Sequence, residues 1–307
     1  MLGIGAPTPV AVTRRLFAGF QSGTSDVPRL SAVTPVEEML AALNVYRPDA
    51  LFGYPTIGGI LAGEQLAGRL RIRPRLGAFA GEPLTADIRR RFQEAWGFQP
   101  IDIYAATEAP PMAASSIEHA DLEIHEDLVI LEVVDELNRP VPPGTPGAMV
   151  LLTNLVNFAQ PLIRYELSDA VTMAGGPSPT GRPYLRIASV DGRIADTLHL
   201  AGAHGGEVAL HPSGLGPAFA RVTAVRQFQL VHDERGLHAR VVLRDGADGG
   251  VPERLRLALV EPIQAAGAVP PPIDVEPVAE LRREPGPAAK LALIKSNVRP
   301  RDPLPAG

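Results

Sequence analysis

Residues 34–104 decide the fold class: TPVEEMLAALNVYRPDALFGYPTIGGILAGEQLAGRLRIRPRLGAFAGEPLTADIRRRFQEAWGFQPIDIY. Thr34-Pro-Val-Glu-Glu38 reads as a helix start. Thr34 supplies the capping oxygen, Pro35 sits where a missing N–H costs nothing, and the two acids face the positive end of the helix dipole. This helix is expected to run to about Val45 and to bury Met39, Leu40 and Leu43. Asp49-Ala-Leu-Phe-Gly53 is a short buried strand, and a second helix follows from about Ile57 to Leu66. Arg75 to Ala80 is another strand and Gly81-Glu-Pro83 a turn. Thr85 caps a third helix, Ala86 to Trp96, which ends at Gly97 because glycine adopts the left-handed closing conformation without a Cβ penalty. Ile101-Asp-Ile-Tyr104 is a third strand. Strand and helix therefore alternate three times, which predicts an α/β domain with a largely parallel sheet covered by helices.

Outward from this stretch the texture changes on both sides. The first thirty-odd residues read as loop, with Gly3, Gly5, Pro7, Pro9, Gly19, Gly23 and Pro28 interrupting any period. From Leu128 onward antiparallel strands are expected: Val129 to Asp135, a turn at Pro140 to Gly147, Ala148 to Leu155, Leu162 to Tyr165, Ala170 to Met173 and Leu185 to Val190. After Asp191-Gly-Arg193 a smaller α+β unit begins. It holds a hairpin (Val222 to Asp233, a turn at Glu234-Arg-Gly236, Leu237 to Arg244), a helix from Pro252 to Ala265, and a strand from Ile273 to Leu281. The expected organisation is a large domain over 1–193, a small C-terminal domain over 194–299 and a disordered tail over 300–307.

Composition narrows the function. With 45% hydrophobic and 21% charged residues the chain is globular, and no apolar run approaches the ~20 residues of a membrane span. Arg14 and Arg15 follow the short N-terminal apolar stretch, the reverse of a signal peptide. The absence of cysteine removes disulfides, thiolate metal sites and thiol nucleophiles, and points to a reducing cytoplasm. A net charge of -5 and few aromatic residues argue against nucleic-acid binding. A cytoplasmic protein with a small-molecule site is the expectation.

Three segments carry candidate chemistry. Tyr104-Ala-Ala-Thr107-Glu108 follows a buried strand, where α/β folds bind ligands: Thr107 suits a phosphate, Glu108 suits Mg2+, a hard cation, and Tyr104 suits a base. The same residues also read as a polar strand exit. Asp169, after Pro161-Leu-Ile-Arg164-Tyr165-Glu-Leu-Ser168, suits the two hydroxyls of a ribose or caps its own turn. Asp191-Gly-Arg193-Ile-Ala-Asp196 marks the domain junction or a turn with a surface ion pair.

In this order and spacing the segments resemble the AMP-forming acyl- and aryl-CoA ligases of the adenylate-forming superfamily, and more narrowly the phenylacetate–CoA ligase branch. Gly81-Glu-Pro-Leu84 before a basic helix, Ile103-Tyr104…Thr107-Glu108, His125-Glu-Asp127, Glu132-Val-Val-Asp135, Pro161-Leu-Ile-Arg164-Tyr165 and Pro285-Gly-Pro-Ala-Ala-Lys290 carry the resemblance, from about Tyr46 to Val298. It implies that Gly81, Glu82 and Pro83 line the adenine side, with the Tyr104 ring against the base. Thr107 and Glu108 would meet phosphate and Mg2+, Asp169 and Arg193 the ribose. Lys290, on a mobile small domain, would reach the carboxylate and α-phosphate during adenylation. The implied reaction joins a carboxylic acid, aryl or acyl, to ATP as an acyl adenylate and then transfers it to coenzyme A.

The chain departs from that pattern. Ala105 and Ala289 stand where the family commonly has glycine, Ala195 where it has a hinge acid, with Asp196 adjacent. His125 matches a zinc-binding histidine of many relatives, but the accompanying cysteines are absent, so zinc is not expected. No glycine-rich phosphate loop is recognised. Gln21-Ser-Gly-Thr-Ser25 is superficially similar but, with no strand expected before it, reads as plain loop. The expectation is therefore an enzyme without its N-terminal portion. Its alternatives are a non-catalytic remnant that binds a ligand or a partner, and an adenylating enzyme that loads a carrier-protein thiol. A homodimer is compatible with either, while nucleic-acid and membrane partners are not expected.

Overall fold

The computed structural model describes residues 2–5, 29–31, 34, 36–109, 111–210, 215, 218–219, 221–222, 224–281 and 293–298. The chain divides into two compact units, with the division between Asp191 and Gly192. In the first unit, β1 (Leu2–Gly5), β2 (Arg29–Ser31), β3 (Ala50–Gly53), β4 (Leu76–Ala80) and β5 (Ile101–Tyr104) form a parallel block in the order β5-β4-β3-β1-β2. Three helices punctuate it: α1 (Val36–Tyr46), α2 (Pro55–Leu66) and α3 (Ala86–Trp96). The α/β expectation holds. α3 has both expected ends, since Thr85 Oγ1 accepts from Ile88 N at 3.4 Å and Gly97 closes the helix at φ 79°.

Burial explains the assembly. Met39 and Leu43 of α1, Ile57 and Leu61 of α2 and Phe92 of α3 share one core with Leu2, Ile4, Leu51 and Phe79 of the strands. Phe92 is its centre, edge-on to Phe79 at 5.1 Å, Trp96 at 4.9 Å and Phe98 at 5.9 Å. α2 can approach so closely because it presents glycine. A Cβ at Gly58 would stand 2.8 Å from the Phe79 ring, and one at Gly59 3.0 Å from Ile88.

β1 corrects the reading of the N-terminal residues as loop. It lies between β2 and β3, with Leu2 and Ile4 both 2% exposed. Its alternation is only two apolar residues long because Gly3 and Gly5 separate them, too little to register as a strand. The premise that no strand precedes Gln21–Ser25 is also corrected, since β1 does, with residues 6–20 between; residues 21–25 lie outside the described residues.

The sheet continues past β5 in antiparallel fashion. β6 (Ala113–Ala114), β7 (Leu122–Ile124), β11 (Asp169–Met173) and β12 (Arg186–Arg193) extend it in the order β11-β12-β7-β6-β5. Antiparallel pairing therefore begins at Ala113, earlier than Leu128, because strands of two and three residues carry no readable period. A separate three-stranded sheet has the order β10-β9-β8, from β8 (Val129–Val134), β9 (Met149–Asn154) and β10 (Tyr165–Leu167). The expected strand at Leu162 to Tyr165 is displaced. Arg164 stands at φ 51°, outside strand geometry, so the strand begins only at Tyr165.

The second unit is built from a β13–β14 hairpin (Leu198–Ala201, Glu207–Leu210) and a four-stranded sheet of order β17-β16-β15-β18. In that sheet β15 (Val225–Asp233) and β16 (Gly236–Leu243) form the expected hairpin. β17 (Ile273–Pro277) and β18 (Ile294–Ser296) join its two edges in parallel. β17 stops at Pro277, short of the expected Leu281. α4 (Val251–Ala265) turns Leu255, Leu259 and Ile263 into the core, while Leu257 is exposed. Among the described residues no helix is long and apolar enough to cross a membrane.

Candidate active site

Candidate site residues of the first unit collect where parallel strands end. β4 and β5 are paired in register, Ala80 opposite Ile103, so their two exits lie side by side. Gly81, Glu82 and Pro83 follow β4, and Ala105 to Glu108 follow β5. Carboxyl ends of adjacent parallel strands form the crevice in which such sheets bind ligands.

Gly81 turns the β4 exit at φ 84°, a left-handed conformation suited to a residue without Cβ. Glu82 then reaches across to the exit of β3, where its Oε2 accepts from Thr56 N at 3.1 Å and from Thr56 Oγ1 at 2.5 Å. Tyr104, the last residue of β5, is 8% exposed, and its hydroxyl donates to Asp169 Oδ2 at 2.7 Å. Burial, then the adjacent Asp169 charge, pushes the phenol pKa up, so the hydroxyl keeps its proton and remains a donor. Two residues 65 apart in sequence, which the resemblance assigned to base and ribose, are thus in direct contact.

Thr107 is exposed and Glu108 half-buried. Asn154 Nδ2, at the end of β9, donates to the Glu108 carbonyl at 3.2 Å and so anchors the loop from the second sheet. The donors present bear on the Mg2+ that the resemblance implies. Among the described residues no group of three or more His, Cys, Asp or Glu is gathered. A lone carboxylate fits Mg2+ that takes its other ligands from phosphate and water, the usual mode for this ion, and does not fit an all-protein cage.

Arg193 ends β12 exposed and falls in the second unit. Asp196 lies in the short 3-10 turn Ile194–Asp196 that follows. Lys290 lies outside the described residues. His125 Nδ1 lies 3.2 Å from the Pro111 carbonyl, which can only accept, so that nitrogen carries the proton.

Below the site, Asp102 sits one turn of the pleat inward from Tyr104 on β5. Burial pushes its carboxyl up to about 6, against the pull of Arg89, whose Nη2 stands 3.4 Å away. Sequence reasoning missed Thr56 and Asn154. Pro55 at the first position of α2 is the signal that places Thr56 in a helix start; nothing local marks Asn154.

Comparison with known proteins bears on this geometry. Residues 11–156 match the family model described as AMP-binding enzyme. The chain is 30% identical over 174 residues to a phenylacetate-coenzyme A ligase of Pseudomonas putida, covering 55% of this chain and 39% of that one. It is 31% identical over 217 residues to a phenylacetate-coenzyme A ligase of Escherichia coli strain K12, covering 64% and 47%. The chain therefore spans less than half the length of either relative. A 2-hydroxyisobutyryl-CoA ligase in the postadenylation state, in complex with 2-HIB-AMP, superposes with a TM-score of 0.74 at 23% identity, covering 90% of this chain and 61% of that one. This likeness shows the fold.

Proposed function

We propose that the chain, whose residues 11–156 match the AMP-binding enzyme model and which is similar to phenylacetate-coenzyme A ligases, serves an adenylate-forming acid–thiol ligase acting on an aryl carboxylic acid of the phenylacetate kind. In the first half-reaction a carboxylate oxygen attacks the α-phosphorus of ATP and pyrophosphate leaves. In the second, the thiol of coenzyme A displaces AMP. The Tyr104–Asp169 hydrogen bond carries this reading, because it joins the two motifs that a nucleoside would span and fixes one carboxylate oxygen in advance.

Asp169 holds the ribose hydroxyls, and the Gly81–Pro83 loop borders the base. Thr107 donates to a phosphate oxygen. Glu108 would hold Mg2+, which would supply charge neutralisation where negative charge builds on the phosphorus. Lys290 adds an ammonium to the same charge during adenylation.

Calorimetry with AMP, and pyrophosphate exchange with a panel of aryl and alkyl acids, test the reading. Saturable AMP binding that Asp169→Ala weakens by about tenfold or more is expected, with aryl acids preferred in exchange. AMP binding unaffected by Asp169→Ala would falsify the site assignment. Preference for short alkyl acids would remove the phenylacetate-type specificity.

A further inference from the structure

Helix α2 starts without a cap of its own. Its N-cap residue is Tyr54, whose side chain makes no capping bond, and Pro55 behind it has no N–H to satisfy. Gly58 N already donates to Tyr54 O at 3.0 Å, which leaves the amides of Thr56 and Ile57 as the unmet donors of the first turn. Glu82 meets one of them from a different loop, 26 residues away, accepting from both the amide and the hydroxyl of Thr56. A carboxylate at this end also complements the positive pole of the helix. The capping group that a helix ordinarily draws from the residue before it comes here from the loop at the exit of β4.

That loop is held at both of its ends. Ala80 pairs within the sheet, and Thr85 is fixed as the cap of α3, with buried Leu84 beside it. Between them Gly81 and Glu82 are half-buried, and the bond from Glu82 to Thr56 adds a further fixed point. We propose that Glu82 is a positioning residue: it clamps the Gly81–Pro83 loop to the first turn of α2 and so sets the backbone that borders the nucleotide base. This assigns Glu82 a role through Thr56 in place of direct contact with the ligand, and it rests on the nucleotide reading of the site. A loop fixed in advance loses less freedom on binding, which appears as affinity.

Two readouts separate the clamp from the nucleotide reading: hydrogen exchange at the Thr56 amide and the Kd for AMP. The wild-type amide is expected to be protected. Glu82→Ala should release it and raise the AMP Kd by about tenfold, the scale of a lost cap. Glu82→Gln keeps an accepting oxygen and should restore affinity to within about threefold of wild type. Equal losses for Ala and Gln overturn the proposal, because they place the carboxylate charge itself on the ligand. A lowered Tm with unchanged Kd in Glu82→Ala overturns it too, since the clamp is then purely structural. An unprotected Thr56 amide in the wild type removes the clamp. A protected amide in a chain that binds no AMP instead refutes the nucleotide reading, and the positioning role with it. If Glu82→Ala does not fold, Thr56→Val deletes one of the two bonds and should raise the Kd about threefold; no change overturns the proposal.

Discussion

Asp102 in the parallel part of the first unit and Glu123 in the antiparallel part behave in opposite ways. Asp102, on β5 of the parallel block, has its pKa raised to about 6 by burial, and a single 3.4 Å ion pair with Arg89 offsets this only in part. Arg89 is itself lowered by burial, so the pair sits where neither charge is well solvated. Glu123, on β7 of the antiparallel part, is held below the ordinary carboxylate range. Ser178 Oγ donates to it at 2.6 Å, Thr180 Oγ1 donates to the same oxygen, and Arg182 Nη1 stands 3.2 Å from the other. Burial alone disfavours a carboxylate, whereas hydroxyl donors aimed at its charged form reverse the sign. The parallel block is secured by apolar packing and tolerates the poorly solvated Asp102–Arg89 pair. The antiparallel part secures long connections through polar side chains.

Variants can break this contrast, beginning with the largest effect. Phe92→Ala opens the aromatic centre of the parallel block and should cost about 3–5 kcal/mol in urea denaturation. A loss below about 1 kcal/mol would mean that the block is not held by this cluster. On the antiparallel side, Arg186 bonds Asp121 and the carbonyls of Gly175 at 2.9 Å and Pro177 at 3.0 Å. Arg186→Ala strands these acceptors and should cost about 2–3 kcal/mol. Proteolysis should then open the connection near Gly175 first; cleavage elsewhere would show that Arg186 does not secure it.

The carboxylates sharpen the comparison through pH. The folded pKa of Asp102, about 6, exceeds the unfolded value of about 3.9, so the folded state retains a proton that the unfolded state has lost. Stability from Asp102 is therefore present at low pH and lost as pH rises through that window. Glu123 is depressed, so its contribution is complete above the unfolded value of about 4.3 and lost as pH falls through the folded one. Carboxyl-carbon NMR titration should find Asp102 near 6 and Glu123 below its ordinary range. Titration of both at one pH would erase the distinction. The smallest effect is at the site itself. Tyr104→Phe removes only the hydrogen bond to Asp169 and should cost about 1 kcal/mol in stability. It should weaken AMP binding about threefold, which calorimetry reads directly; unchanged affinity would show that Asp169 needs no orientation by Tyr104.

Much was legible where the cause is local. α3 could be read from Thr85 and Gly97 because both caps act within a turn of the residues they terminate. Thr107 and Glu108 could be singled out because a strand ends at Tyr104, just before them. What the sequence by itself determined is thus the strand–helix alternation, its punctuation and the place of the strand exits. β1 was not legible, because a four-residue strand with two glycines becomes a strand only through the neighbours that pair with both of its edges. Nor were the bonds from Glu82 to Thr56 and from Tyr104 to Asp169, since sheet order brings those residues together across 26 and 65 positions. Only the tertiary structure decided these contacts, and with them the opposite shifts of Asp102 and Glu123. A carboxylate's charge depends on which donors and which apolar walls surround it, and these come from elsewhere in the chain.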